Sequence, residues 1–535
     1  MTDDGYVLAP PVLDWSQQGG PRDRDTGDVY FSAEDGLSET RAVFLAGCGL
    51  PERWAGRRVF TVGELGFGSG LNAIALHDLW RRTRPGGARL HMVSIEARPW
   101  RREDAARALA AFPELSDLAE AVLRQWPAPR KGLHRVHLAD GVTLSILHGR
   151  APQALAELDF RADAWFLDGF APAANPDMWS EAVFAELARL SAPGARAATF
   201  TVAGAVRRGL ASAGFEVVKR PGFGRKRERL EAVFTGEAAP ARPDPFPRAR
   251  PQAGAVCIIG GGIAAASLVH AFARRGIAPS VIAQGGWASG ASGAPSGLFT
   301  PRLELEPRPQ ARALLSAFDY AHRLYRDGEG VEAEGALRLA ADATGEDRLD
   351  RLAAALGPGF ERVDGSEARS RTGVQDATGG LWMAGAGRFD PAKLVAALAG
   401  DAPLIDASAA RLEETAAGWR VLDGAGGVIT EADTVILAGG ADARALIAEA
   451  GLELEMTAGR VAVVEGDPPA APIAWGGYVS AAPGGGVLLG ATHVKGGDAG
   501  AADKAEAELK ADLQARLPAL ASALGPVRAS WAGVR

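Results

Sequence analysis

The chain has 535 residues, of which 47% are apolar and 23% charged, and a formal net charge of −7. This length predicts two or three domains, because a single hydrophobic core stops growing at about 250–300 residues. The sequence has no apolar run long enough to span a membrane and no signal-peptide pattern at its N-terminus. Its two cysteines, Cys48 and Cys257, exclude a disulfide framework and indicate a reducing compartment, the cytoplasm.

Predicted strands and helices alternate along residues 59–213. The strands are Val59–Val62, Leu90–Ile95, Thr143–Leu147, Ala164–Leu167 and Ala195–Phe200, and the helices are Leu71–Arg81, Arg101–Ala111, Pro152–Leu158, Met178–Leu190 and Val202–Ala213. Such alternation is typical of an α/β fold with a parallel sheet, which binds ligands at the carboxyl ends of its strands. Two short strands near Phe215–Val218 and Glu231–Phe234 are predicted to complete this sheet as antiparallel edge strands.

A glycine turn after the first of these strands predicts a nucleotide site. Three alternating glycines stand between two polar residues, in the set Glu64, Gly66, Gly68, Gly70 and Asn72. Glu96 ends the next strand, where an acid accepts hydrogen bonds from a ribose diol. No Lys-Ser/Thr pair follows the glycines, which excludes a P-loop. S-adenosylmethionine is the leading candidate ligand, and the alternative is a glycine-rich turn without a ligand.

The segment Trp165–Trp179 indicates a catalytic loop. Asp168 follows a central strand, and a loop rich in proline and aromatic residues comes next instead of a helix. Such a loop can stack a base and direct an amine at a sulfonium methyl group, with Asp168 accepting the hydrogen bond of the amine. The alternatives are that Asp168 caps the next helix and that both tryptophans belong to the core.

A basic stretch near the end of this half predicts contact with RNA. Six Lys or Arg residues lie between Lys219 and Arg229, with Phe223 among them, which suits phosphate contact and stacking. The first 250 residues carry a net charge of +2 and the remainder −9. The alternative is a solvated charged hairpin. His134 and His137 are spaced as alternating strand residues, so we predict no metal site.

A second nucleotide site is predicted after a linker at residues 236–253, which is rich in proline, alanine and charge. Gly260, Gly262 and Ala265 follow an apolar strand in the G-x-G-x-x-G/A pattern of dinucleotide-binding turns. Ala283-Gln284 stand where an acid for the ribose is expected. We therefore predict one domain at residues 1–235 and a second at 254–535.

Four segments resemble a known family. They are Asp28–Ser32, Glu64–Asn72, Trp165–Trp179 and Lys219–Glu228, in order and at consistent spacing. The first 235 residues are similar to those of the MnmC family, the bifunctional tRNA 5-methylaminomethyl-2-thiouridine biosynthesis proteins. Its members join a methyltransferase to an FAD-dependent oxidoreductase, and both act on the wobble uridine of tRNA. One departure is Arg150, where the family tends to carry an acid that could meet the adenine.

The resemblance implies the fold and the ligands of both halves. It implies a Rossmann-like methyltransferase, followed by an FAD-dependent domain of two subdomains, α/β plus α, similar to D-amino-acid oxidase. Substrate or tRNA contacts are expected from Tyr30, Phe170, Asn175, Trp179, Phe223, Arg225, Lys226 and Arg227. FAD contacts are expected from Gly260, Gly262, Ala265, Gly290, Ser292, Gly293 and Gly439. Metal and membrane partners are not expected, and the chain is expected to be monomeric.

The resemblance also implies two successive reactions. The carboxymethyl group of 5-carboxymethylaminomethyl(-2-thio)uridine is removed with FAD, and the freed amine is then methylated with S-adenosylmethionine. The alternatives are a methyltransferase with a non-catalytic C-terminal module and a fused methyltransferase and oxidase of small amines. In the family a further glycine-rich segment is expected after Val527–Arg535, so we expect an incomplete oxidoreductase domain.

Overall fold

The computed structural model describes residues 5–16, 20–31, 36–224, 226–237, 254–326, 330–340, 343–448 and 451–534. The chain divides into two compact units. The first comprises Met1–Pro245 with Glu306–Tyr320, and the second comprises Phe246–Leu305 with Ala321–Arg535. The predicted linker at 236–253 lies, apart from its first two residues, outside the described residues.

An eight-stranded sheet forms the centre of the first unit. Its strands, in spatial order, are Gly132–Ala139, Val142–His148, Arg89–Glu96, Val59–Leu65, Ala162–Leu167, Ser191–Thr199, Glu228–Phe234 and Phe215–Pro221. The five strands from Val142–His148 to Ser191–Thr199 are parallel, and the pairs beyond them are antiparallel. This arrangement confirms the predicted α/β fold with a parallel sheet and antiparallel edges. A separate pair, Leu13–Asp14 and Arg22–Asp23, precedes the sheet.

Helices flank the strands of the first unit. The α-helices are Gly36–Thr40, Leu71–Thr83, Arg102–Leu109, Ser116–Arg124, Ala151–Ala156, Glu181–Leu190 and Gly204–Ser212. Shorter turns are the π-helix Arg41–Leu45 and the 3₁₀ helices Glu52–Trp54, Pro113–Leu115 and Pro176–Trp179. Helix Ser116–Arg124 was not predicted from the sequence.

The predicted helix Met178–Leu190 is interrupted at Ser180. That residue is extended, and its side chain accepts a hydrogen bond from the Val183 amide, so that it caps helix Glu181–Leu190. The buried Val183, Phe184, Leu187 and Leu190 then form one face of the helix, as the helical repeat requires.

Strand alternation divides the core of the first unit between the two faces of its sheet. Trp165 and Leu167 belong to one hydrophobic cluster, whereas Ala164 and Phe166 belong to the other. Trp165 is fully buried, and its indole nitrogen donates to the Ser191 hydroxyl. The structure therefore places Trp165 in the hydrophobic core, which was the alternative to a catalytic role for this residue.

The second unit contains three sheets. A parallel sheet has the order Leu404–Ile405, Ser280–Ile282, Val256–Ile259 and Thr434–Leu437. A larger, mostly antiparallel sheet contains Gly297–Phe299, Val331–Leu339, Phe360–Val363, Gly380–Phe389, Thr457–Val464, Ile473–Ala474, Tyr478–Ala481, Val487–Gly490, Val494–Lys495 and Val527–Val534. A third sheet contains Arg411–Thr415, Gly418–Leu422 and Val428–Ala432. The α/β subdomain was predicted from the sequence, but the size of the second sheet was not.

The helices of the second unit complete its two subdomains. They are Ile263–Ala273, Ala343–Leu356, Gly365–Thr372, Pro391–Ala399, Arg444–Ala448, Ala502–Arg516 and Pro518–Ser522, with 3₁₀ turns at Ala291–Gly293 and Gly440–Ala443. Helix Pro309–Arg326 is divided between the two units at Tyr320. Within the described ranges, no helix combines the length and the apolar character needed to cross a bilayer.

Replacing Gly63 with alanine is expected to destabilise the first unit. A Cβ at Gly63 would lie 2.3 Å from the ring of Trp165, in the middle of the parallel sheet. Overpacking of this kind costs about 1–3 kcal/mol. Urea unfolding of the full chain, followed by tryptophan fluorescence, measures the loss. Gly86→Ala is the matched control because no atom lies within 4 Å of its Cβ position, and equal midpoints for the two variants would contradict the prediction.

Candidate active site

A cavity of about 990 Å³ lies in the first unit, where the central parallel strands end. Its wall contains residues that follow three of these strands, Gly66 to Ser69, Glu96 to Arg98 and Asp168 to Ala171. Residues from other segments complete the wall, namely Tyr30, Glu39, Thr40, Asn72, Arg150, Asn175, Asp177, Phe200 and Lys226. The position of the cavity agrees with the rule that α/β sheets bind ligands at the carboxyl ends of their strands.

The glycine turn requires glycine for steric reasons. Gly66 has φ +89°, and a Cβ there would lie 1.8 Å from the Asp168 carbonyl oxygen. Gly70 has φ +81° and immediately precedes helix Leu71–Thr83, and a Cβ there would lie 2.9 Å from the ring of Phe67. Gly66 and Gly68 line the cavity, whereas Gly70 shapes the turn behind it. The turn thus brings backbone close to the cavity, as a nucleotide ligand requires.

Glu96 is arranged to receive the hydroxyl groups of a ribose. Its carboxylate accepts hydrogen bonds from the amides of Gly68, at 2.8 Å, and Arg98, at 2.7 Å. Burial raises the pKa of Glu96, and these amide bonds oppose the rise. A carboxylate has about four acceptor positions, so two remain for a diol. Since the turn and this acid lie in one cavity, the residues present fit S-adenosylmethionine.

Asp168 lines the cavity as a half-buried acid. Its Oδ2 accepts a hydrogen bond from the Asn72 amide nitrogen at 2.7 Å. Burial raises the pKa of Asp168 to about 7, and the Asn72 bond and the nearby charge of Lys226 oppose the rise. A carboxyl with such a pKa can exist as either an acceptor or a donor near neutral pH, as acid–base catalysis requires.

Two side chains that were predicted to contact S-adenosylmethionine form hydrogen bonds with other side chains of the protein. Asn72 lines the cavity, but both ends of its amide are engaged by protein, with Thr40 donating to Oδ1 at 2.9 Å. Glu64 is fully buried on the sheet face of Phe60 and Val62 and forms no part of the cavity wall. Strand alternation turns the side chain of Glu64 into the core, and a direct ligand contact by Glu64 stays a prediction.

Burial raises the pKa of Glu64 to about 8. The Ser94 hydroxyl donates to Oε2 at 2.6 Å, which opposes that rise, while Oε1 has no hydrogen-bond partner among the described residues. Glu64 is consequently a mostly neutral acid at pH 7, held directly behind Asn72.

Aromatic residues form the wall beside Asp168. The ring of Tyr30 lies 4.8 Å from that of Phe170 and 4.6 Å from that of Trp100. Asp28 accepts a hydrogen bond from the Ala171 amide at 3.0 Å, which joins the two segments. Asn175 lines the cavity, whereas Trp179 is buried in the core and donates to the Phe170 carbonyl at 2.9 Å. Trp179 therefore supports the loop from below instead of contacting a ligand in the cavity.

Several cations of the basic stretch pair with nearby acids. Lys219 pairs with Glu228 and Arg220 with Glu231 across the hairpin, and Arg229 pairs with Glu231 along the same strand. Phe223 packs against the hydrophobic core. Arg225 lies outside the described residues. Arg227 is exposed, and it makes no ion pair with any residue that the structure describes.

Lys226 lies in the cavity wall. Its ammonium is 3.3 Å from a Glu39 carboxylate oxygen and 3.7 Å from the centre of the Phe200 ring. The sequence predicted a tRNA contact here, but the geometry places this charge beside Asp168.

An acid lies beside Arg150 in the cavity wall. Arg150 forms an ion pair with Asp177, and both residues line the cavity. The sequence had no signal for this ion pair, whose acid lies 27 residues further along the chain in the 3₁₀ helix Pro176–Trp179.

The second glycine turn lies at the carboxyl edge of the parallel sheet in the second unit. Strands Val256–Ile259 and Thr434–Leu437 are neighbours, so Gly260 and Gly439 meet at that edge. Gly260 has φ +132°, and a Cβ there would lie 2.4 Å from the Ala438 carbonyl oxygen. The turn therefore excludes any side chain at this position.

Ser292 lies at the start of helix Ile263–Ala273. Its hydroxyl accepts a hydrogen bond from the Ile263 amide at 3.0 Å, and Gly262 leaves the space beside it free of a side chain. Ala265 is buried under the turn, while Gly290 and Gly293 flank Ser292 in its loop. A helix start bordered by glycines suits the pyrophosphate of FAD, so the residues present fit that cofactor.

Among the described residues, no group of three potential metal ligands is found. His134 is buried, and its Nε2 is 2.8 Å from the Arg130 carbonyl oxygen.

Glu64→Gln is expected to stabilise the protein more at pH 8 than at pH 5. The raised pKa means that folding favours the protonated form, so the wild type loses stability as pH rises from about 4.5 towards 8. The variant lacks this titration, and its relative gain should grow by about 2–4 kcal/mol across the window. Urea unfolding at both pH values measures it, with the exposed Glu52→Gln as control. A gain that does not depend on pH would show that Glu64 is ionised in the folded protein.

Comparison with known proteins identifies both halves. Residues 113–235 match the S-adenosyl-L-methionine-dependent methyltransferase family, and residues 255–535 match the FAD dependent oxidoreductase family. The predicted cofactors, S-adenosylmethionine and FAD, are thereby confirmed. Among solved structures, glycine oxidase from Geobacillus kaustophilus is 25% identical, with a TM-score of 0.43, over 53% of this chain and 82% of its own.

Two relatives match this chain over almost its whole length. The tRNA 5-methylaminomethyl-2-thiouridine biosynthesis bifunctional protein MnmC of Maricaulis maris (strain MCS10) is 51% identical, over 100% of this chain and 87% of its own length. The protein of that name from Caulobacter vibrioides is 46% identical, over 98% of this chain and 86% of its own length. The chain therefore belongs to the MnmC family, as an S-adenosylmethionine-dependent methyltransferase joined to an FAD-dependent oxidoreductase.

Proposed function

We propose that the protein modifies the wobble uridine of tRNA in two steps. The first converts 5-carboxymethylaminomethyl(-2-thio)uridine to 5-aminomethyl(-2-thio)uridine, and the second methylates the resulting amine. The names of its relatives support the product, and the two domains support the two reactions. The observation that carries the second step is the placement of Asp168 in the cavity beside the glycine turn.

Methyl transfer to this amine requires a proton acceptor. A primary alkylamine has a pKa near that of lysine, about 10.4, so little of it is a neutral nucleophile at pH 7. Asp168 accepts the hydrogen bond of the amine and orients its lone pair, and Asn72 fixes the carboxylate from the other side. S-adenosylmethionine, when bound, supplies the methyl group. Tyr30 and Phe170 lie beside Asp168 and offer faces for stacking the uridine.

The oxidoreductase half produces the primary amine that the methyltransferase half methylates. When bound, FAD would supply the hydride acceptor, and the hydride would leave the carboxymethyl carbon that is attached to the secondary amine of the substrate. The substrate imine that remains reacts with water to give glyoxylate and the primary amine. Gly260, Gly262 and Ser292 are the residues that hold the pyrophosphate, at the start of helix Ile263–Ala273. Because the product of one step is the substrate of the other, the fusion has a chemical reason.

The partner is the anticodon region of tRNA, and the compartment is the cytoplasm, where this RNA is available. Among the described residues of the basic stretch, Arg227 is the candidate for a phosphate contact, because Lys219, Arg220, Lys226 and Arg229 each pair with an acid. A contact by Arg225 stays a prediction. A monomeric state stays a prediction.

Nucleoside mass spectrometry of hypomodified tRNA tests both activities. The wild type is expected to give the methylated amine with both cofactors present. Asp168→Asn should release glyoxylate normally but accumulate the primary amine, with methylation reduced by about 10²–10⁴-fold, as for loss of an acid–base group. Binding of S-adenosylmethionine, measured by calorimetry, should survive the substitution.

Other outcomes separate the alternatives. Colourless protein that methylates but releases no glyoxylate would support a non-catalytic C-terminal module. Turnover of free small amines without tRNA would support a small-molecule enzyme. Near-normal methylation by Asp168→Asn would contradict the role of Asp168.

Arg227→Ala is expected to weaken tRNA binding and to lower its salt dependence. One lost phosphate contact reduces the slope of log K against log salt by about 0.7–0.9. Lys219→Ala is the matched control, because Lys219 already pairs with Glu228 and its loss should change the slope less. Equal slopes for wild type and Arg227→Ala would place the RNA on another surface.

A further inference from the structure

Thr40 has a specific polar contact in the cavity wall. It is the last residue of helix Gly36–Thr40, and it is 4% exposed. Its hydroxyl donates to the Asn72 Oδ1 at 2.9 Å, across 32 residues of sequence. Asn72 itself is 5% exposed, so its amide has little access to solvent. This hydrogen bond connects helix Gly36–Thr40, which lies outside the glycine turn, to Asn72, whose amide donates to Asp168.

The Thr40 contact matters because an asparagine amide has two different ends. With Oδ1 held by Thr40, the Nδ2 group points at the Asp168 Oδ2, 2.7 Å away. If the amide were reversed, its oxygen would face Asp168, and in the ionised state of Asp168 two acceptors would meet without a proton between them. If the Thr40 hydroxyl were absent, Oδ1 would be a buried acceptor without this donor, which proteins generally avoid.

The charge of Asp168 depends on few favourable contacts. Burial acts most strongly against a negative charge at this position, and the carboxylates of Glu39 and Glu96 add to it. The opposing groups are the Asn72 amide, which donates directly, and Lys226, whose ammonium is itself paired with Glu39. A small change in the Asn72 amide should therefore be visible in the titration of Asp168.

We propose that Thr40 is a positioning residue for methyl transfer, which holds the Asn72 amide in the orientation that donates to Asp168. This inference rests on the proposed function, in which Asp168 accepts the hydrogen bond of the substrate amine. Thr40 acts through Asn72 and touches neither the amine nor the transferred methyl group.

The titration of Asp168 in the ligand-free protein tests this role. Infrared difference spectroscopy follows its carboxyl band against pH, and subtraction of Asp168→Asn spectra assigns it. Thr40→Val keeps the shape of the side chain but removes the donor, and it should raise the pKa of Asp168 by about half a unit to one unit. Thr40→Ser keeps a hydroxyl and should restore the wild-type value. Thr83→Val, at an exposed threonine of helix Leu71–Thr83, should have no effect.

The pH profile of methylation provides the second readout. In Thr40→Val the acidic limb of kcat should move to higher pH by the same amount, and activity should recover at high pH. A loss of activity that is equal at every pH, or an unshifted Asp168 band, would overturn the proposal. Because the band is measured without tRNA or cofactor, a wrong tRNA assignment leaves this result unchanged. Thermal unfolding of the variants identifies a general loss of structure.

Discussion

The hydrogen bond between Asn72 and Asp168 is the contact on which the site of the first unit depends. It joins the first turn of helix Leu71–Thr83 to the end of strand Ala162–Leu167. The same two segments also meet through backbone, since only glycine at position 66 leaves room for the Asp168 carbonyl. The glycine turn and the proton acceptor are consequently fixed relative to each other before any ligand binds, which is the preorganisation that methyl transfer to an amine requires.

Three acids near this contact have different environments and therefore different tasks. Burial with a single hydroxyl donor keeps Glu64 mostly protonated near neutral pH. Glu96 receives two backbone amides and retains acceptor capacity for a ribose. Burial raises the pKa of Asp168 to about 7, against the opposing effects of one amide donor and a nearby lysine. Differences in solvation and hydrogen bonding, not in residue type, thus separate a structural acid, a binding acid and a reacting acid.

The sequence predicted what depends on local patterns. The strand–glycine–helix order located both turns, and an acid directly after a strand located Asp168 at the carboxyl edge. Contacts between distant segments had no such signal. Thr40 is one threonine in a short helix, the partner of Lys226 lies 187 residues before it, and the acid that pairs with Arg150 comes from position 177. The burial of Glu64 has a simpler cause. The alternation of side chains along a strand, and not closeness to the glycine turn, decides which face of the sheet a residue occupies.

The role of Asp168 can be tested by a crystal structure with S-adenosylhomocysteine and a 5-aminomethyluridine-containing anticodon stem-loop. We expect the amine nitrogen of the nucleoside at hydrogen-bond distance, about 2.7–3.2 Å, from the Asp168 carboxylate. We also expect Asn72 to donate still to the other side of that carboxylate. An amine bound elsewhere in the cavity, with Asp168 contacting only protein or water, would contradict this role.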